Sequence, residues 1–203
     1  NALSKKTYTV DDVINSKKLT EDLRLLDCSR PCSGGASILL ASEQLCKKIS
    51  DNPIWISGIG QKTTSAGFTK NESLFSMTST KQAGDTALKM ANKNISEIDV
   101  AEIHDAFSVC EPMALDALGF TKPGEGMNLI KKLHDTDNFM INPRGGLIGC
   151  GHPLGATGIS QTIEIVKQLQ QSAEDRQVNN PKLGLVHNMS AAATSSTVLV
   201  LEK

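Results

Sequence analysis

At 203 residues the chain is long enough to bury one good core or two small ones, and a hydrophobic content of 39% with only 3% aromatics fits a globular α/β protein packed from aliphatic and small side chains. A formal net charge of −1 gives no electrostatic basis for binding nucleic acid or an anionic membrane. No apolar run approaches the ~18 residues that span a bilayer, no secretory signal opens the chain, and five cysteines without paired spacing point to a reduced, cytoplasmic protein.

The first 26 residues are polar and weakly patterned. Thr9-Val10-Asp11-Asp12-Val13 is set to start a helical turn at a Thr or Asp cap, in a tail that cannot fold alone. Residues 27–35 read as a loop; Cys28 and Cys32 lack the second ligand pair a zinc knuckle needs, so no metal is expected. Ala36-Ser37-Ile38-Leu39-Leu40-Ala41 reads as a fully buried strand, followed by a helix over 42–49.

A second unit starts near residue 51. Its predicted elements are a strand over 54–59, an irregular connection over 64–80, a helix over 81–93 with Ala83, Ala87, Leu88 and Ala91 on one face, and a strand over 100–103. A helix over 107–118, broken near its start by Pro112 and stopped by Gly119, precedes a short helix over 124–134 and a connection over 138–149. A long helix from 156 to about 172 is expected to bury Ile159, Thr162, Ile163, Val166 and Leu169. Strands over 182–186 and 197–201 then pair antiparallel around a loop, which completes a layered α/β/α unit.

Residues 141–165, INPRGGLIGCGHPLGATGISQTIEI, concentrate the chemistry. Cys150 and His152 flank Gly151, so a thiol and an imidazole leave one tight loop. Gly151, Gly155 and Gly158 remove side chains where backbone must approach a ligand or a neighbouring strand. The loop's amides would then sit at a helix N-terminus, where they can meet a developing negative charge. On spacing alone the stretch is either a catalytic loop or an ordinary turn with a hydrogen-bonded histidine.

The run Gly151-His152-Pro153-Leu154-Gly155-Ala156-Thr157-Gly158 resembles the GHPxGATG signature of thiolases. Glu102-Ile103-His104-Asp105-Ala106-Phe107 resembles the HDAF variant of the thiolase NEAF motif, found in archaeal acetyl-CoA acetyltransferases and close to the HDCF form of sterol-carrier-protein-2 thiolases. His187-Asn188 stands where that branch carries HNxGGxG. Order and spacing agree along essentially the whole chain, which is thus similar to the C-terminal half of a thiolase.

The resemblance implies a thiolase-like layered α/β/α domain with a mixed five-stranded sheet over residues 51–203. Residues 27–50 would be the last strand and helix of the first half, and 1–26 the end of its loop region. A strand at 36–41 would have both edges unpaired, so another polypeptide carrying the first half is expected to complete that sheet. The family also brings an OB-fold or HMG-CoA-synthase-like partner into view, and an oligomer.

The implied chemistry is acyl transfer through a cysteine, with a coenzyme A thioester as substrate and no cofactor. His152 matches the histidine that activates the nucleophile and donates to an oxyanion. The nucleophilic cysteine belongs to the first half; Cys28 and Cys32 lack its context, and Cys46 and Cys110 read as inert helix thiols, so this chain alone is expected to be inactive. Cys150 is either the second acid/base or a small side chain beside a tight turn. His104 corresponds to a residue that holds a water of the first oxyanion site, or else caps a helix with Asp105, which orients the loop. Phe107 would line the acyl pocket, His187 and Asn188 would face the acyl chain, and Gly151 and Gly155 would let substrate approach the backbone.

Three glycines of HNxGGxG are replaced by Ser190, Ala191 and Ala193, and any that needs positive φ would be strained by roughly 1 kcal/mol. The simplest implied reaction joins two acetyl-CoA into acetoacetyl-CoA. The alternatives are a thiolase-like retro-aldolase, for which Tyr8 is the only tyrosine available, and a degenerate scaffold subunit.

Overall fold

The computed structural model describes residues 2–65, 67, 75–136 and 140–203, so part of the expected irregular connection lies outside the described residues. Helix α1 (Val10–Ile14) forms at its cap as expected. The Asp12 amide donates to Thr9 Oγ1 at 3.1 Å and the Thr9 amide donates back to the Asp12 carboxylate at 2.9 Å. Helix α2 (Glu43–Ile49) starts at Ser42, whose Oγ accepts from the Leu45 amide.

The buried strand expected at 36–41 does not form. Leu39 is 82% exposed and Leu40 69%, and the segment pairs with no described strand. An apolar run becomes a buried strand only when neighbours pair its backbone and cover its side chains, and this chain supplies neither.

The sheet contains β1 (Trp55–Thr63), β2 (Val100–Glu102), β3 (Leu183–Met189) and β4 (Ser195–Glu202) in the order β1-β4-β3-β2. β4 runs antiparallel to both neighbours and β2 parallel to β3. Four strands stand where five were expected. Residues 140–142 do reach the free edge of β2, where the Ala101 amide donates to Met140 O and the Asn142 amide to Ala101 O, both at 2.8 Å. The ladder ends there because Asn142 turns to φ 50 and Pro143 has no N–H to donate.

Alternation along the strands builds two cores, one per face. Ala101, Leu183, Leu185, Val198 and Val200 face helices α3 (Thr78–Ala91), α4 (Cys110–Leu118) and α5 (Gly126–Asp135). Val100, Val186 and Leu201 face Ile165 and Leu169 of α7 (Thr157–Leu169). This is the expected α/β/α layering. Gly58 and Gly60 of β1 bring the backbone of α3 into direct contact with the sheet.

Several boundaries differ from the sequence reading. Pro112 does not break α4, because the helix begins at Cys110 and the proline falls in the first turn, where its missing N–H costs nothing. The connection over 138–149 contains a short helix, α6 (Gly146–Cys150). The buried stripe of α7 is Gln161, Thr162, Glu164, Ile165, Gln168 and Leu169, whereas Ile159 is partly exposed. Polar side chains occupy that face because each is bonded. Gln168 Oε1 accepts from the Val178 amide at 2.8 Å, and Glu164 pairs with Arg176 at 3.2 Å, fastening the 174–178 turn to the helix. No helix among the described residues is long and apolar enough to cross a membrane.

Candidate active site

A hollow of about 770 Å³ opens at the carboxyl ends of β2 and β3, where ligands collect in open α/β sheets. Its lining includes His104, Phe107, Cys110, His152, Asn188 and the loop 190–193, with Met77, Met113 and Met189 making it largely apolar. A hollow of similar size lined by Ile98, Pro143, Arg176 and Val178 carries neither imidazole nor thiol in its described lining.

Two strands and one loop assemble the histidine pair. Parallel pairing of β2 with β3 brings His104 beside Asn188. The chain at 30–31 runs alongside the Gly-His-Pro loop, so that the His152 amide donates to Arg30 O at 2.8 Å. The rings of His104 and His152 meet edge to face at 5.0 Å between centroids.

The hydrogen bonds fix which nitrogen of each ring carries its proton. Gln161 Nε2 donates to His187 O at 3.3 Å, which leaves Gln161 Oε1 to accept from Asn188 Nδ2 at 2.9 Å. The second hydrogen of that amide points at His104 Nδ1, 3.0 Å away, so Nδ1 is the bare nitrogen and Nε2 holds the proton. That N–H has no partner among the described residues and is left for a ligand in the hollow. Burial, and then the neighbouring His152, push the His104 pKa down to about 4, so the ring is a neutral donor at neutral pH.

His152 takes the opposite tautomer. With its single proton given to Pro153 O at 3.1 Å, Thr157 Oγ1 accepts from His152 Nδ1–H at 2.8 Å. His152 Nε2 is therefore bare, and burial lowers the pKa of the ring. The hollow thus holds one neutral imidazole that donates and one that accepts.

His187 is fully buried and does not line the hollow. Ser79 Oγ donates to Ala193 O at 2.5 Å, so it accepts from Ser196, which accepts from Thr80, which accepts from His187 Nε2–H at 3.1 Å. This chain of hydroxyls ties the loop that walls the hollow to α3. Burial, then His104, push the His187 pKa down to about 3, which keeps the donor end of the chain neutral.

Asp105 also lies behind the site. Its carboxylate accepts from the Leu147 amide at 2.6 Å and the Ile148 amide at 3.4 Å, orienting α6 and the loop that follows. Cys150 turns away as well: its Sγ donates to Arg144 O at 3.1 Å, and it is not among the lining residues. Phe107 and Asn188 line the hollow. Gly151 has φ 86 and a Cβ there would lie 2.8 Å from Cys32 Sγ, while Gly155 lines a small neighbouring groove.

Cys110, Gln161 and Thr157 were given no role by the sequence. Gln161 lies outside the buried stripe predicted for its helix, and Cys110 reads as a core thiol. The available signal for Cys110 was its position three residues after Phe107, at the start of the helix that leaves the motif.

Of the positions where glycine was expected, Ala193 has φ 51, and its neighbour Ala192 has φ 54. Ala192 is exposed, so Ala192→Gly removes left-handed strain without removing packing. We expect urea unfolding to show about 0.5–1 kcal/mol of added stability.

Beneath the loop, Glu102 is wholly buried with Arg144 Nη2 at 3.6 Å, and neither carboxylate oxygen is hydrogen-bonded among the described residues. Burial pushes its pKa up to about 8, and that of Asp105 up to about 7. Both folded values lie above the unfolded ones, so the folded state holds extra protons and stability falls as pH rises through 7 to 8. The histidines act in the opposite direction but only below about pH 6.5. Glu102→Gln is expected to flatten the decline between pH 7 and 8, a slope of at most about 1.4 kcal/mol per pH unit for one proton, as read from urea midpoints.

The layered fold and the paired imidazoles of the Gly-His-Pro and His-Asp-Ala-Phe loops define a known class. The chain belongs to the thiolase C-terminal domain family: residues 60–203 match the family described as Thiolase C-terminal domain-like. An acetyl-CoA acetyltransferase of Methanocaldococcus jannaschii is 38% identical over 200 residues, covering 95% of this chain and 51% of that protein. The acetyl-CoA acetyltransferase of Methanothermobacter thermautotrophicus is 33% identical over 197 residues, with 96% and 51% covered. Sterol carrier protein 2 of Gallus gallus is 35% identical over 191 residues, with 91% and 35% covered. The chain therefore spans about half the length of the archaeal relatives it matches. The solved Ltp2-ChsH2(DUF35) aldolase superposes with a TM-score of 0.81 at 20% identity, over 96% of this chain and 51% of that one, and shares its fold.

Proposed function

We propose that this chain is the C-terminal part of a thiolase-type acyltransferase that makes or breaks the carbon–carbon bond of a 3-ketoacyl-CoA, most simply by joining two acetyl-CoA. The observation that carries the reading is the pair of opposed imidazole tautomers at one apolar hollow. Thioester exchange through a thiol needs a base to take the thiol proton and a donor for the carbonyl oxygen as it gains charge. His152 Nε2 is the base and His104 Nε2–H the donor.

The attacking cysteine comes from the first half, carried by a partner polypeptide or by the remainder of the same protein. The exposed run at Ile38, Leu39 and Leu40 is where that half would pair and cover this chain. The reading places the assembly in the cytoplasm as an oligomer, with the coenzyme A thioester as substrate. A retro-aldol reading would call for a tyrosine at the reacting carbon; Tyr8 Oη instead accepts from Arg30 Nη2 at 3.0 Å and is absent from the lining.

The test is thiolysis of acetoacetyl-CoA by the protein carrying both halves. Turnover is expected with both halves and not with this chain alone. An intact two-half assembly that consumes no 3-ketoacyl-CoA would overturn the proposal in favour of a scaffold.

A further inference from the structure

We infer that Cys110 is the acid/base that moves the proton at the α-carbon of the substrate, an assignment that rests on the acyl-transfer reading above. Joining two thioesters requires two protons to be handled. One leaves the thiol that will carry the acyl group, and the other leaves the carbon that attacks it. His152 accounts for the first. The second needs another group at the hollow.

Of the five cysteines, Cys110 alone is among the described residues that line the hollow. Cys150 spends its S–H on Arg144 O and stays outside the lining. Cys110, the first residue of α4, lines the hollow together with His104 and His152. Its backbone amide donates to Phe107 O at 2.9 Å, and the Phe107 backbone also lies within hydrogen-bonding reach of its sulfur.

A second feature marks the same space as the seat of an anion. His104 is only 5% exposed, yet its Nε2–H lines the hollow unpartnered, a buried donor that a developing enolate oxygen would satisfy. Burial raises the pKa of the Cys110 thiol, so at rest the group carries the proton it is to deliver.

In the cleavage direction, the thiolate from the first half adds to the 3-keto carbonyl. Collapse of the adduct breaks the bond between the α- and β-carbons. The electron pair moves into the enolate of acetyl-CoA, whose oxygen accepts from His104 Nε2–H. Cys110 gives its proton to the α-carbon and becomes a thiolate. It then takes the proton of the incoming coenzyme A thiol, whose sulfur displaces the acyl group and frees the first-half thiolate. The proton given to carbon is regained from coenzyme A, and nothing is oxidised or reduced.

The two half-reactions can be read apart in the protein carrying both halves. Acylation by acetyl-CoA is followed as release of coenzyme A thiol, and α-proton exchange as deuterium entering acetyl-CoA from heavy water. Cys110→Ala, and the near-isosteric Cys110→Ser as a check on folding, are expected to slow exchange by about 10²- to 10⁴-fold and to slow acylation far less, because a departing coenzyme A thiolate needs the Cys110 proton much less than carbon does. Cys46→Ala, on the remote helix α2, is the thiol control. Exchange at the wild-type rate in Cys110→Ala, or its loss in Cys150→Ala alone, would overturn the assignment and leave the acyl-transfer reading standing. A wild-type protein that is never acylated would overturn both.

Discussion

In the protein carrying both halves, His152→Ala is expected to lower kcat for acetoacetyl-CoA thiolysis by about a thousandfold, within the range for removal of a positioned general base. His152 Nε2 is the bare imidazole nitrogen at the hollow, and no neighbouring group replaces it. His104 Nδ1 already accepts from Asn188, and His187 lies behind the wall. KM should change much less, since the ring contributes little to holding the coenzyme. Thr157→Val separates base strength from tautomer. It removes the acceptor that holds the proton on His152 Nδ1, freeing the ring to carry it on Nε2, and kcat should fall by about tenfold with the ring still in place. Full activity in His152→Ala would show that the base lies elsewhere. Full activity in Thr157→Val would show that the tautomer is set by something other than this hydroxyl.

His104, His152 and Asn188, which the motifs singled out, line one hollow, because sequence motifs of this kind mark where backbone loops converge. They did not say which way neighbouring side chains face. His187 and Asn188 are adjacent in β3, and alternation sends them to opposite sides of the sheet. Asn188 follows Val186 toward α7 and Gln161, whereas His187 follows Leu185 toward α3 and Thr80. Cys150 and His152 were expected to act together because one glycine separates them. That glycine has φ 86, which swings the chain so that the thiol closes α6 against Arg144 O while the imidazole crosses to His104.

The apolar run at 36–41 failed for a different reason. Its composition is that of a strand, but a strand is completed by hydrogen bonds to residues far away in sequence or in another chain, and nothing within the run specifies them. The phase error in α7 is related. Gln161, Glu164 and Gln168 hold a loop or the Asn188 amide, and hydrophobic periodicity cannot count a residue that is buried in order to make hydrogen bonds. Local rules therefore served where an element is closed by its own neighbours, as at the Thr9 cap, and gave way where tertiary partners decide.

The largest stability effect is expected at Gly60. A Cβ at that position would lie 1.9 Å from Ala83 O and 2.8 Å from its carbonyl carbon, both backbone atoms of α3 that no rotamer change can move. An ordinary carbon–oxygen contact is about 3.3 Å, so Gly60→Ala must push α3 off the sheet by about 1.4 Å. Ala83 and Ala87 are fully buried at that contact, and the shift would open a gap along it. Ser79 and Thr80 ride on the same helix. Their hydroxyls hold Ala193 O and His187, so the displaced helix would also loosen the loop that walls the hollow. We expect Gly60→Ala to cost about 3 kcal/mol, near the upper end for overpacking, and to lower the melting temperature by roughly 6–12 °C. Activity per folded molecule should fall with it, because the site and the helix share the hydroxyl chain. Gly35→Ala, where a Cβ meets nothing within 4 Å, is the matched control and should leave both unchanged. A Gly60→Ala protein that loses less than about 1 kcal/mol would mean that α3 does not rest its backbone on β1, and the strained loop at Ala192 and Ala193 would then need another anchor.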